Sequence, residues 1–191
     1  MDIFLVILFS YLCGSIPFGL ILTKVFIKTD IRKIGSGNIG ATNALRTGNK
    51  IIAYSTLILD ILKAIIPVLY IKFYYQEFIF IAALCAFLGH VFPIWLKFKG
   101  GKGVATYIGI LTSINIIFGL VFGTIWIIVY FISKYSSLAS ILSSLSIPTY
   151  ILLMNQNNLI FYFIMFVLIF YTHRENIKRL INKEENKTKI Y

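Results

Sequence analysis

Gly35-Ser36-Gly37-Asn38-Ile39-Gly40-Ala41-Thr42-Asn43-Ala44-Leu45-Arg46 is a run of glycines and small polar residues that ends in a cation. Glycine lets backbone N–H groups turn onto an anion, because no side chain stands in the way. Ser36, Asn38, Thr42 and Asn43 add neutral hydrogen-bonding groups, and Arg46 adds a planar fork that matches phosphate. A second stretch, Lys97-Phe98-Lys99-Gly100-Gly101-Lys102-Gly103, has the same character. Lys102 between two glycines suits an ammonium held by a loop close to a ligand. Two such loops point to phosphate binding at the edge of a bilayer. Tight interhelical turns with membrane-side charge would explain the cations, but not the dense Ser, Thr and Asn between Gly35 and Arg46.

Other polar residues stand alone in apolar surroundings. Gly89-His90 suits either a proton shuttle or a histidine that holds the neighbouring loop. Asp60 and Lys63, at i and i+3, can pair on one helix face. A structural pair is favoured over direct chemistry, since charges inside spans turn toward protein or water. His173-Arg174-x-Asn176 opens the C-terminal tail, and Ser137 and Ser140 share a helix face as weaker candidates for the same cavity. Gly14-Ser15-Ile16-Pro17 breaks one helical hydrogen bond, as a packing kink or a cavity lining. Gly35-x-Gly37-x-x-Gly40, with Asp60 twenty residues beyond, copies a dinucleotide fingerprint. It lacks the strand and βαβ unit that fingerprint needs. Gly101-Lys102-Gly103 fails as a P-loop, because residue 103 is not Ser or Thr and Leu96 stands where the first glycine belongs. Cys13 and Cys85 read as core residues. No cluster has metal-ligand spacing, so neither metal nor cofactor is expected.

The elements that must position these residues are membrane helices. The 191 residues are 59% hydrophobic with a mean hydropathy of +0.87, which excludes a soluble domain. The net charge of +11 leaves anionic lipid or an anionic substrate as partner, and the apolar length argues against nucleic acid. Apolar runs cover 3–22, 51–71, 78–96, 104–132, 138–154 and 159–172. The start, Met1-Asp2, lacks signal-peptide features, so the first run is expected to remain as a span. The 104–132 run is long for one helix and short for two, with Gly119 and Gly123 as candidate bends. Sixteen of the eighteen Lys and Arg residues fall in 24–50, 97–102, at 134 and in 174–189. Splitting 104–132 in two puts all of these on one side, the cytoplasmic side by the positive-inside bias. The expected architecture is an all-α integral membrane bundle of about seven spans over 1–172, with the N-terminus outside. Loops 23–50 and 97–103 and the tail 173–191 then lie in the cytoplasm, so His173 and Asn176 face the same side as both loops. The first half of the tail reads as a helix and its last residues as mobile.

These residues resemble the bacterial acyl-phosphate:glycerol-3-phosphate acyltransferases (PlsY). The similarity covers nearly the whole chain: Gly14-Ser15-Ile16-Pro17, block 35–46, Leu88-Gly89-His90-Val91-Phe92-Pro93, block 98–106 ending Val104-Ala105-Thr106, and His173 to Leu180. The resemblance implies a bacterial plasma (inner) membrane enzyme that moves a fatty acyl group from acyl phosphate to the 1-hydroxyl of glycerol 3-phosphate. The products would be lysophosphatidic acid and phosphate, without acyl-CoA or acyl-carrier protein as donor. It points to Ser36, Gly37, Thr42, Asn43, Arg46, Lys102, His173 and Asn176; with His90 from the residue reading above, the expected catalytic groups are Lys102, Arg46, Ser36, His90 and His173. Combined with the reading of the two loops, the expected phosphate-binding residues are Gly35, Gly37, Asn38, Gly40, Thr42, Asn43, Gly100, Gly101, Gly103, Thr106, Asn176 and Ser140. Two positions depart from the family. Ala64 replaces a glycine after Lys63. Lys183 stands where a glycine commonly precedes a glutamate by two residues, which argues against a tight tail turn and a role for Glu185. An acyl phosphate is already an activated anhydride, so positioning and charge stabilisation would suffice, with the departing phosphate taking the proton. The alternative is a transporter or channel for a phosphorylated metabolite.

Overall fold

The computed structural model describes residues 2–188, and among these every regular element is helical. The chain divides into two compact units, Met1–Ile114 and Asn115–Tyr191. It is a multi-pass integral membrane protein. Among the described residues, five segments are long and apolar enough to cross a bilayer: Ile3–Ile27, Lys50–Tyr74, Gln76–Leu96, Ile116–Ser133 and Ser136–Leu153. Val104–Ile114 and Leu159–Thr172 are shorter apolar helices. At 1.5 Å per residue the 25-residue helix runs about 37 Å, more than the ~30 Å of hydrocarbon it must cross.

In the first unit, α1 (Ile3–Ser15) and α2 (Phe18–Ile27) are separated at Ile16-Pro17. α3 (Ala41–Leu45) is one short turn, and α4 (Lys50–Tyr74), α5 (Ile79–Val91) and α6 (Val104–Ile114) complete the unit. Two apolar clusters fix the directions. Val6, Ile71 and Ala82 pack at one end. Leu20, Ile31, Ile39, Ala44, Ile52 and Ala53 pack at the other, and Leu96 rests against them. Helices α1, α4 and α5 therefore alternate in direction, and both glycine loops lie at the same end of the unit.

Close backbone contact makes the α1–α5 seam. A Cβ on Gly14 would overlap the Ala86 backbone, and one on Gly89 would overlap the Tyr11 carbonyl oxygen. Small residues permit such approach where lipid offers no hydrophobic drive between helices. Tyr11 Oη donates to Phe92 O at 2.7 Å, and Trp95 Nε1 donates to Ser15 Oγ at 2.8 Å. The wall built by α1 thus grips the chain leading into the second loop.

The 104–132 run is indeed two helices, but neither Gly119 nor Gly123 makes the break. α6 ends at Ile114, and α7 (Ile116–Ser133) runs unbroken through both glycines. Asn115 interrupts the run, with its side chain accepting from Ile117 N at 3.0 Å. Lys72 Nζ donates to the carbonyls of Ser113 and Ile114 at 2.8 and 3.0 Å. Two carbonyls at the end of α6 and one N–H at the start of α7 thereby gain partners.

In the second unit, α7 is followed by α8 (Ser136–Leu153), α9 (Leu159–Thr172) and α10 (Arg174–Ile181). Phe118 meets Tyr162 edge to face at 5.4 Å, and Trp126 stacks on Tyr130 at 5.2 Å. Four serines of α8 return their hydroxyls to their own helix, among them Ser140 to Ser136 O and Ser144 to Ile141 O, both at 2.8 Å. That local bonding keeps a polar stripe satisfied inside an apolar bundle. The expected tail helix is α10. Expected mobility at the chain end falls partly on 189–191, outside the described residues. Thr188, however, is tied down: its N–H donates to Lys134 O at 3.0 Å and its carbonyl accepts from Tyr130 Oη at 2.7 Å.

Candidate functional site

The first loop is built around Asn43, which is 2% exposed. Its Oδ1 accepts from Ser36 N at 3.1 Å. Its Nδ2 donates to the carbonyls of Ile31, Ile34 and Asn38 at 3.1, 3.0 and 2.8 Å. Asn43 was expected to hold a phosphate. Its amide is instead committed to the loop's own backbone, and it acts by fixing the loop's shape. Ser36 is exposed on that frame, and Thr42 is partly exposed. The Asn38 Oδ1 is buried with no hydrogen-bond donor facing it. Gly35 has φ +53°, and a Cβ there would lie 2.5 Å from Arg46 Cδ and 2.7 Å from Nη1. The guanidinium of Arg46 therefore lies over bare backbone, exposed to an incoming anion. Gly37 also takes a left-handed φ of +70°, whereas Gly40 does not, and a Cβ there would meet only Asn38 Nδ2, at 3.9 Å.

The second loop leaves α5 through Pro93 and the turn Ile94–Leu96. Lys97 and Phe98 both adopt left-handed backbone, at φ +52° and +61°. Each costs on the order of 1–2 kcal/mol for a residue with a Cβ, so the surroundings must hold them there. What holds them is a ladder along the end of α5. Phe98 N donates to Pro93 O, Gly100 N to Val91 O and Gly101 N to His90 O, each at 3.0 Å. Cβ atoms at Gly100, Gly101 and Gly103 would overlap the His90 carbonyl oxygen, the His90 ring and the Phe87 ring respectively. These glycines exist for close packing at least as much as for a ligand. Lys102 is half-buried on this base, and Thr106 is buried one turn into α6.

Beneath the second loop, the expected Asp60–Lys63 pair is present at 2.7 Å. Lys63 Nζ also donates to Ile16 O at 2.7 Å, the carbonyl left without a helical partner before Pro17. His90 Nδ1 faces Asp60 Oδ1 at 3.9 Å. Segments 24–50 and 97–102 carry nine Lys and Arg against one carboxylate, Asp30. That carboxylate is held by Arg32 in two hydrogen bonds, at 2.9 and 2.6 Å. Those bonds, against a smaller opposing effect of burial, hold the Asp30 carboxyl well below the usual range. The loop end of the first unit is thus strongly positive.

The second unit holds its own polar cluster. His173 is 2% exposed, and its Nδ1 lies 2.8 Å from Ile169 O. A backbone acceptor at that distance makes Nδ1 the protonated nitrogen and directs the lone pair of a neutral ring to Nε2. Asn176 Nδ2 donates to Glu185 Oε1 at 2.6 Å, Ser137 Oγ to the same oxygen at 2.7 Å, and Arg179 Nε to Oε2 at 2.7 Å. Burial alone would push the Glu185 carboxyl up. The bonds from Asn176, Ser137 and Arg179 together outweigh it and leave the group below its ordinary value. The expectation that Lys183 would prevent a tight turn is overturned. Lys183 takes φ +61°, and Glu184 N donates to Arg179 O at 2.8 Å. The turn forms without glycine, because three donors on Glu185 offset the strain. Ser140 was expected at a phosphate. Its hydroxyl donates to Ser136 O and accepts from Trp126 Nε1 at 3.1 Å.

Sequence reasoning missed Glu185, Trp95 and Tyr11 as anchors. Only the two aromatic residues with a polar tip carried any signal, as groups that usually find a partner when buried.

The glycerol-3-phosphate acyltransferase family model matches residues 4–183. The chain is 69% identical over its whole length to a glycerol-3-phosphate acyltransferase of Pelagibacter ubique (strain HTCC1062), all of which is covered. It is 47% identical to one of Mesorhizobium japonicum, over 96% of this chain and 94% of that one. Two solved structures are similar, both of PlsY (YgiH), an integral membrane glycerol 3-phosphate acyltransferase. Its glycerol 3-phosphate form has a TM-score of 0.91 at 34% identity, covering 98% of this chain and 96% of that one. Its lysophosphatidic acid form has a TM-score of 0.87 at 34% identity, covering 97% and 94%.

Proposed function

This chain belongs to the glycerol-3-phosphate acyltransferase family, and from that premise we propose that it transfers a fatty acyl group from acyl phosphate to glycerol 3-phosphate. The 1-hydroxyl oxygen attacks the acyl carbonyl carbon and the bond from that carbon to the phosphate oxygen breaks. The departing phosphate takes the hydroxyl proton, leaving lysophosphatidic acid. The observation that carries this reading is the pair of cation-bearing loops at one end of the first unit of a membrane protein. One phosphate-bearing substrate is soluble, and the other carries an acyl chain that the apolar helices accept.

Arg46, displayed over Gly35, is the fork for one phosphate, and Lys102 is the point charge for the other. Both also stabilise charge that develops on the carbonyl oxygen and the leaving group. Ser36 and Thr42 supply hydroxyls at the exposed rim, with Asn38, Thr106 and the backbone N–H groups of Gly35, Gly40 and Gly103 as further donors or acceptors, those of Gly37, Gly100 and Gly101 being spent within the loops. Asn43 holds the first loop together. In the second unit, His173 with its lone pair on Nε2, Asn176 and Ser140 remain candidates on their chemistry. No protein base is required, because the leaving phosphate accepts the proton. The excess of cations on the loops and tail supports a bacterial inner-membrane location with these loops in the cytoplasm. A transporter reading is less well supported, because the deep charges Asp60 and Lys63 are spent on each other and on Ile16 O.

Purified protein mixed with acyl phosphate and glycerol 3-phosphate tests the proposal. Equal release of inorganic phosphate and lysophosphatidic acid is expected. Phosphate release without lysolipid, or acyl transfer from acyl-CoA alone, would sink it.

A further inference from the structure

Under the second loop lies a buried network that the proposed reaction does not use. The side chains of Lys63, Asp60 and His90 are only 1%, 3% and 4% exposed. Polar and charged groups survive in such surroundings when they are paired. Lys63 is well engaged, with Asp60 Oδ1 and Ile16 O each at 2.7 Å. His90 is not. Its Nδ1 has no hydrogen-bond partner and looks at Asp60 Oδ1 across 3.9 Å. The opposite edge of the same ring abuts Gly101, where a Cβ would overlap Nε2 and Gly101 N donates to His90 O at 3.0 Å. The imidazole therefore stands between a buried carboxylate and the residue before Lys102.

We propose that Asp60 and His90 are positioning residues: the carboxylate orients the imidazole, and the imidazole sets the backbone at Gly101 and hence the placement of Lys102. This rests on the reading of Lys102 as a phosphate ligand. A neutral imidazole carries one N–H, and a facing carboxylate draws it to Nδ1. The tautomer and ring plane are then fixed from below, and the loop is footed on a planar group with few alternative rotamers. Supporting contacts of this kind decide whether a binding group is held well enough to act. A ring that only filled space would gain nothing from a polar edge turned toward a buried charge. Two backbone bonds, Gly100 N to Val91 O and Gly101 N to His90 O, carry the same register into the loop.

The first arm of the test needs no catalysis. Hydrogen–deuterium exchange of the purified protein is followed over residues 97–104 in wild type, Asp60→Asn and His90→Gln. Both variants are expected to exchange faster there, and His90→Gln with α4 unchanged. The second arm reads kinetics. His90→Gln is expected to raise KM for glycerol 3-phosphate about tenfold with kcat within about threefold. His90→Asn, whose amide falls near the Nδ1 position, is expected to recover most of that loss. The third arm uses the overlap itself: Gly101→Ala impairs binding, and adding His90→Ala relieves it, by removing the ring, as far as the level of His90→Ala alone. Unchanged loop exchange in well-folded Asp60→Asn and His90→Gln overturns the inference. So does a His90→Leu protein with wild-type KM. If Asp60→Asn does not fold, the Gly101→Ala pair decides, and no relief by His90→Ala counts against the inference. A wild type that fails to acylate glycerol 3-phosphate sinks the functional reading alone, since the exchange arm reads the coupling without substrate.

Discussion

Lys63 donates its ammonium to the carbonyl oxygen of Ile16, 47 residues earlier in the chain, while holding Asp60 on its other side. One cation thus repairs a Pro-interrupted helix and neutralises a buried carboxylate. Lys63→Ala strands the Asp60 carboxylate and leaves Ile16 O with the bond from Phe18 N alone, at 3.1 Å. Removing one member of a buried pair costs about 3–5 kcal/mol. A large drop in thermal midpoint in detergent is expected, and Asp60→Asn added to Lys63→Met should recover part of it. A Lys63→Ala protein as stable as wild type would contradict this account.

Arg46→Ala and Lys102→Ala should each lower kcat/KM by about 2–4 kcal/mol in transition-state terms, the scale of a lost charge-assisted contact in a preorganised site. Arg46→Lys should restore little, since a point charge does not reproduce the fork. Steady-state rates at matched amounts of folded protein decide the matter.

Gly35→Ala should behave like a partial Arg46 variant. The new Cβ would meet Arg46 Cδ at 2.5 Å, and φ +53° strains any residue with a side chain. The expected cost in activity is about tenfold, in the range of a site misplaced by a fraction of an ångström. Gly40→Ala, whose Cβ would make only an ordinary contact with Asn38 Nδ2 at 3.9 Å, is the comparison: it should cost much less.

Glu185 gives a pH dependence whose sign is set by its lowered folded-state pKa. The unfolded chain binds the proton more readily than the folded one. The stabilisation is therefore complete above the ordinary carboxylate range and is lost as pH falls through the lowered folded value. Glu185→Gln should cost about 1–3 kcal/mol at neutral pH, the worth of hydrogen bonds to a charged group. It should also flatten the loss of thermal stability below about pH 4.5, the group's ordinary value. An unchanged acid limb in the variant would refute the assignment.

Lys183→Gly should stabilise the tail, since the left-handed turn at φ +61° suits glycine at a helix C-terminus. The gain is about 1 kcal/mol. It is best read as slower exchange of the amides around Glu184, whose N–H bonds Arg179 O.

The outline of the fold was legible because apolar length is a direct record of the bilayer. The Asp60–Lys63 pair followed from spacing alone. The break at Asn115 was not legible, because glycine looks the stronger breaker. In an apolar bundle, though, Gly119 fits a continuous helix, and the interruption falls where Asn115 and Lys72 can satisfy the freed groups. The glycine loops announced themselves by composition, but sequence does not say which way an amide points. Asn43 turned inward and became the loop's frame. Lys183 misled for a related reason. Local propensity opposed a turn that tertiary bonds to Glu185 supply.

The paired contacts of Gly14 with Ala86 and of Gly89 with Tyr11 leave no room for even a methyl group. Two neighbouring rods so tightly abutted behave as one slab. The turn that carries Trp95 and Phe98 is mortared to that slab from both sides, so thermal wobble in either rod alone cannot loosen the platform on which Lys102 stands.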